Sequence, residues 1–195
     1  MSRRCARSRA TTAAALIGIA FLIAGCTSPN DDPSPPPSSA TSTPTPAQTP
    51  TPTADPEVAA AEVAILDAYK GFWDAQVLAL ADPAIDPPAE LGQFAVDKAF
   101  SGVGEALFEY RRQGIVLTGA PVLAPEVDSI VLGESPTAHV TDCVDSSDWI
   151  PIFRATGESA AAPGQAPRLV VESWAIVYDE RWVIRETSVH RDHPC

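Results

Sequence analysis

The sequence predicts an α+β domain, with N-terminal helices packed on a curved antiparallel sheet. Two observations carry this prediction. Apolar residues recur at spacings of three and four from Pro56 to about Gln113, the period of helices with one buried face. Beyond Gly114 they alternate, the period of half-buried strands. No βαβ unit is legible, and helices followed by a run of strands is the α+β order. The 45% hydrophobic content is enough for a real core, and 195 residues allow one ordinary domain.

Residues 1–25 read as a secretory leader. Arg3, Arg4, Arg7 and Arg9 form a basic region, and Ala13–Ala24 (AAALIGIAFLIA) an apolar one. A bilayer span needs ~20 residues, so this run is a signal and not a transmembrane helix. Ile23-Ala24-Gly25-Cys26, preceded by Leu22, resembles the lipobox of bacterial lipoproteins, with Ile23 where Leu is usual. The resemblance implies cleavage after Gly25 and a diacylglycerol thioether on Cys26. Two acyl chains, at ~0.8 kcal/mol per buried methylene, give stable membrane anchoring. Residues 26–55 then form a tether of Ser, Thr, Pro, Ala, Asn, Gln and Asp, without Leu, Ile, Val or an aromatic after Cys26. Such a stretch has nothing to bury and cannot offset its ordering entropy, so it is expected to be disordered. Its prolines favour polyproline II, which at ~3.1 Å per residue reaches at most ~90 Å.

The domain begins at residue 56 and runs to 195. Asp55-Pro56-Glu57 is a helix start: a capping Asp, Pro at the first position and an acid in the first turn. Ile65, Tyr69, Phe72, Trp73, Val77 and Leu80 make one apolar stripe. Gly71 interrupts it and invites close packing. A second helical region runs from about Glu90 to Gln113, with a break expected at Ser101–Gly104. Arg111-Arg112 and Gly114 end it. Strands are expected at Ile115–Leu117, Val127–Leu132, Ala138–Val144, Leu169–Tyr178 and Trp182–Val189, with a short edge strand at Trp149–Phe153. Asp179-Glu180 is the tight link between the last two.

Charge excludes one class of partner. The chain holds 13 basic and 25 acidic residues, and four of the basic ones lie in the leader. An acidic domain does not neutralise phosphates, so no nucleic-acid partner is expected. Cysteine usage points to an exported domain. Cys5 falls in the leader and Cys26 carries lipid, leaving Cys143 and Cys195, for which a disulfide is expected in an oxidising compartment. A metal or redox thiol is the alternative.

The layout resembles the nuclear-transport-factor-2-like (SnoaL-like) superfamily of α+β cones, and more narrowly actinobacterial secreted lipoproteins with that domain. The residues carrying the likeness are Ala68-Tyr69-x-x-Phe72-Trp73, Gly119-Ala120-Pro121, Pro125-x-Val127, Asp142-Cys143-x-Asp145 and Trp182-Val183-Ile184. The resemblance implies a cone-shaped sheet with an internal cavity. Tyr69, Trp73, Tyr110, His139, Asp142 and Trp174 are the candidates to line it. It also implies dimerisation through the open sheet face.

No motif with a known mechanism is present: no G-x-S-x-G elbow, H-E-x-x-H, P-loop or dinucleotide fingerprint. No catalytic residue, cofactor or metal is assigned. His190 to Cys195 contains ligand-type residues, but Cys195 is assigned to the disulfide and Pro194 reads as part of a loose tail. Asp142, Asp145 and Asp148 lack the alternate oxygens and glycine turn of a calcium loop and read as a solvated acidic loop. The functional expectation is a non-catalytic binding domain, held by its lipid anchor at the extracytoplasmic face of the bacterial cell membrane, with a cell-envelope protein as partner. The alternatives are a small-molecule binder using the cone cavity, and a dehydratase, isomerase or cyclase.

Overall fold

The structure is a computed structural model that describes residues 55–195. The leader, Cys26 and the tether up to residue 54 lie outside the described residues. The domain is α+β, with helices and antiparallel sheets.

Helix α1 (Pro56–Ala81) starts where the chemistry marks it. The Asp55 side chain accepts the Glu57 N–H at 2.9 Å, and Pro56 takes the first position. Ile65, Tyr69, Phe72 and Trp73 are buried along it. A Cβ on Gly71 would stand 2.5 Å from Phe94 Cε1, so the glycine admits that ring.

Two further helices follow, α2 (Leu91–Phe94) and α3 (Asp97–Gln113). The break between them corrects the sequence reading. It falls at Ala95-Val96, not at Ser101–Gly104. Ala95 is extended and bridges Ile184, whose carbonyl accepts the Val96 N–H at 3.0 Å. Helix α3 runs through the exposed Gly102 and Gly104 because Ala99, Val103 and Leu107 keep a buried stripe. Each glycine costs ~1 kcal/mol against alanine, while a buried Val or Leu contributes ~1.5–3 kcal/mol. Gly114, at φ 69°, ends the helix and bonds back to the Tyr110 and Arg111 carbonyls.

The strands are β1 (Ile115–Thr118), β2 (Glu126–Val131), β3 (Thr137–Asp145), β4 (Ile150–Phe153), β5 (Arg168–Tyr178) and β6 (Arg181–Pro194). They form two sheets. The larger has the order β2-β3-β5-β6, all antiparallel, and β1 pairs with β4 apart from it. The segment between β3 and β5 is thus an excursion that supplies a partner for β1. Asp179 and Glu180 link β5 to β6 with φ of 48° and 61°, the left-handed pair of a two-residue hairpin turn.

Alternation assigns the faces of the larger sheet. Ala138, Val140, Asp142 and Val144 are buried on β3, as are Leu169, Val171, Ser173 and Ala175 on β5. The helices cover this inner face. Thr137, His139, Thr141 and Cys143 occupy the outer one with Val170, Glu172, Trp174 and Ile176. Among the described residues no helix is long and apolar enough to cross a membrane.

Candidate functional site

A cleft of about 520 Å³ opens where α1, α3, β1 and the inner face of the larger sheet meet the β3–β5 excursion. Trp73, Leu117, Val144, Trp149 and Val171 give it apolar walls, and Ala160, Ala161 and Ala162 form part of its rim. Tyr110, Gln113, Ser146 and Gln165 add neutral polar groups, and Arg191 is the one charged residue of the lining among the described residues. Few polar groups among apolar walls is the usual make-up of a small-molecule site.

Two indoles stand edge to face in this wall. The Trp73 and Trp149 rings are 5.7 Å apart at 71°. Among the described residues, the Nε1 atoms of both are buried without a hydrogen-bond partner. A buried donor left unpaired costs ~1–3 kcal/mol. The Trp73 N–H lies near enough to Tyr69 Oη to favour the phenolate slightly, yet outside hydrogen-bond geometry.

Behind Trp73 sits a buried polar pair. Tyr69 Oη donates to Asp142 Oδ2 at 3.0 Å, and the Ala124 N–H donates to Asp142 Oδ1 at 2.9 Å. Tyr69 is 0% exposed and Asp142 1%, so both are sealed from water. Burial pushes the Tyr69 phenol far above its ordinary range, and the Asp142 charge pushes it further. Burial also raises the Asp142 carboxyl, opposed by the Ala124 and Tyr69 donors. Neither residue lines the cleft. The pair ties α1 to β3 and to the segment before β2. Asp142 is therefore a buried strand residue and not part of a solvated acidic loop.

The structure divides the sequence candidates. Tyr69, Trp73 and Asp142 cluster inside the domain, and Tyr110 reaches the cleft beside Trp73. His139 and Trp174 lie on the outer sheet face, with ring centroids 5.1 Å apart. Asp128 Oδ2 meets His139 Nδ1 there at 2.8 Å and accepts from Thr141 Oγ1 at 2.6 Å. Cys143 and Cys195 are joined by a disulfide, their Cα atoms 5.9 Å apart. Sequence reasoning missed Trp149, Arg191 and the alanine rim. Trp149 was legible as an apolar residue at the edge-strand segment, but nothing local pointed it at Trp73.

No family model and no curated protein matches this chain. Among solved structures it is similar to the intermembrane space region of the chloroplast protein ARC6, at 12% identity and a TM-score of 0.38, over 72% of this chain and 99% of that one. A likeness at that level carries no argument about function.

Proposed function

We propose that the protein is a non-catalytic binding module of the cell envelope, anchored in the membrane through lipid on Cys26 and held off it by the tether. On this reading the domain is a member of the nuclear-transport-factor-2-like cone class, supported by its α+β make-up of helices and antiparallel sheets. The ligand is an apolar small molecule. One observation carries this choice: a cleft of about 520 Å³ is walled by Trp73, Leu117, Val144, Trp149 and Val171, with a few polar groups at Tyr110, Gln113, Ser146 and Gln165. A protein partner or a second copy of the chain is the second reading. It is favoured by the outer sheet face, where Trp174 is 38% and Tyr178 51% exposed.

Two experiments test this. Radiolabelled palmitate is expected to enter the native chain and to be lost in Cys26→Ala, which leaves the membrane fraction. Label kept by the variant would remove the anchor. For the cleft, 8-anilinonaphthalene-1-sulfonate serves as an apolar probe. It is expected to bind at one site, at least about tenfold more weakly in Ala161→Trp, which fills the cleft from its exposed rim. Equal binding by that variant would place the ligand elsewhere.

A further inference from the structure

We propose that the end of β6 is a binding site for a divalent transition-metal ion of the zinc class, held by His190, Asp192 and His193. The site is separate from the cleft and does not rest on the reading given to it.

The register of β6 creates the site. Val170 pairs with His190, but the next β5 residue, Leu169, pairs with Pro194. A single step on β5 is thus matched by Arg191, Asp192 and His193 looping out before Pro194. In a regular strand, residues three apart face opposite sides. The bulge instead brings His193 beside His190, with the rings stacked at 15° and 5.6 Å between centroids. One ligand atom from each of His190, Asp192 and His193 lies within 4.8 Å of the others. Bulges recur where a strand must re-aim a side chain, and this one gathers three donors.

The surroundings support the donors. His190 Nε2 lies 2.6 Å from Glu172 Oε2. In the tautomer whose Nε2–H donates to that carboxylate, Nδ1 keeps its lone pair for a metal. A carboxylate behind a ligating histidine fixes its tautomer and ring orientation in this way. The chain end is also pinned. Cys195, two residues past His193, is bonded to Cys143, and its N–H reaches the Arg168 carbonyl at 3.4 Å. The sequence expectation of a loose tail fails here, since β6 stays paired as far as Pro194.

The donor set selects the ion. Two imidazoles and one carboxylate suit Zn²⁺, Ni²⁺ or Cu²⁺, whereas Ca²⁺ and Mg²⁺ take shells of oxygen. Three protein ligands leave a fourth zinc position for water or an incoming group.

The full chain, purified without a histidine tag, is titrated with Zn²⁺ by calorimetry. The expected result is one ion per chain, with affinity at least about tenfold weaker in His193→Ala and in His190→Ala. His193 is exposed, so its variant is expected to keep the parent's circular dichroism and to lose the zinc-induced rise in melting temperature. Three results would overturn the site: no binding at millimolar Zn²⁺, unchanged affinity in His193→Ala, or displacement of Zn²⁺ by an equal concentration of Ca²⁺.

Discussion

Asp142 shows how a single buried carboxyl sets a pH response. Its folded carboxyl is raised by burial above the unfolded value of ~3.9, so the folded state holds the proton more tightly. The sign follows from linkage. Stability falls as pH rises from ~3.9 through the folded value, and the loss is complete above it. Asp142→Asn removes this titration. Its side-chain oxygen still accepts from Ala124, and its amide faces Tyr69 Oη. Relative to the native chain, the variant is expected to gain stability as pH rises above ~3.9. Asp142→Ala instead strands the Tyr69 O–H and the Ala124 N–H, at a cost of ~1–3 kcal/mol. Urea denaturation across that pH range measures both, and parallel curves for the native chain and Asp142→Asn would remove the shift. The inward face of Asp142 was half legible in the sequence. Ala138, Val140 and Val144 alternate with it as an apolar set, but a carboxyl in that set contradicts the usual cue. Only the Tyr69 and Ala124 donors, distant in the chain, explain why it is tolerated.

Elements were legible where their ends carry chemistry, and less so where tertiary contacts decide. Asp55-Pro56 starts α1 and Gly114 ends α3 as capping rules require. The α2–α3 break has no such mark, because it is imposed by the Ala95–Ile184 bridge across the fold. Glycines divide in the same way. Gly102 has nothing within 4 Å of a would-be Cβ, whereas Gly71 faces the Phe94 ring. Gly102→Ala is therefore expected to gain the helix-propensity difference of ~0.8–1 kcal/mol. Gly71→Ala gains the same propensity but must displace the ring, at ~1–3 kcal/mol for overpacking, and is expected to lose stability overall. Thermal unfolding of the two variants reads the difference in sign. Equal gains would mean that Phe94 moves aside freely and that α1 does not need glycine at this point.

At the scale of the whole molecule, strand existence was legible and strand partnership was not. Alternation marks β1 and β4 as strands, yet it does not say that they leave the main sheet to pair with each other. The cleft was hidden for the same reason: its walls come from α1, β1, the excursion and β6, which no local pattern joins. Cysteine arithmetic was the exception, because the two cysteines among the described residues admit one internal pairing. That pairing links β3 to the end of β6 past the end of β5, which lies between them: Cys143 faces Val170, and Pro194 faces Leu169. The bridge closes a sequence separation of 52 residues. The chain-entropy model assigns a loop of that length ~4 kcal/mol, less any strain. Removing it frees the unfolded chain and also loosens the last residues of β6, which are then held by the Leu169–Pro194 pair and the Arg168 carbonyl. The double variant Cys143→Ser, Cys195→Ser is expected to lose ~2–4 kcal/mol in urea unfolding. Its amide exchange is expected to speed up first at residue 195, whose N–H meets the Arg168 carbonyl, ahead of the β5–β6 pairs around Ser173 and Thr187. An unchanged midpoint, or exchange that rises evenly along β6, would show that strand pairing alone fixes the chain end.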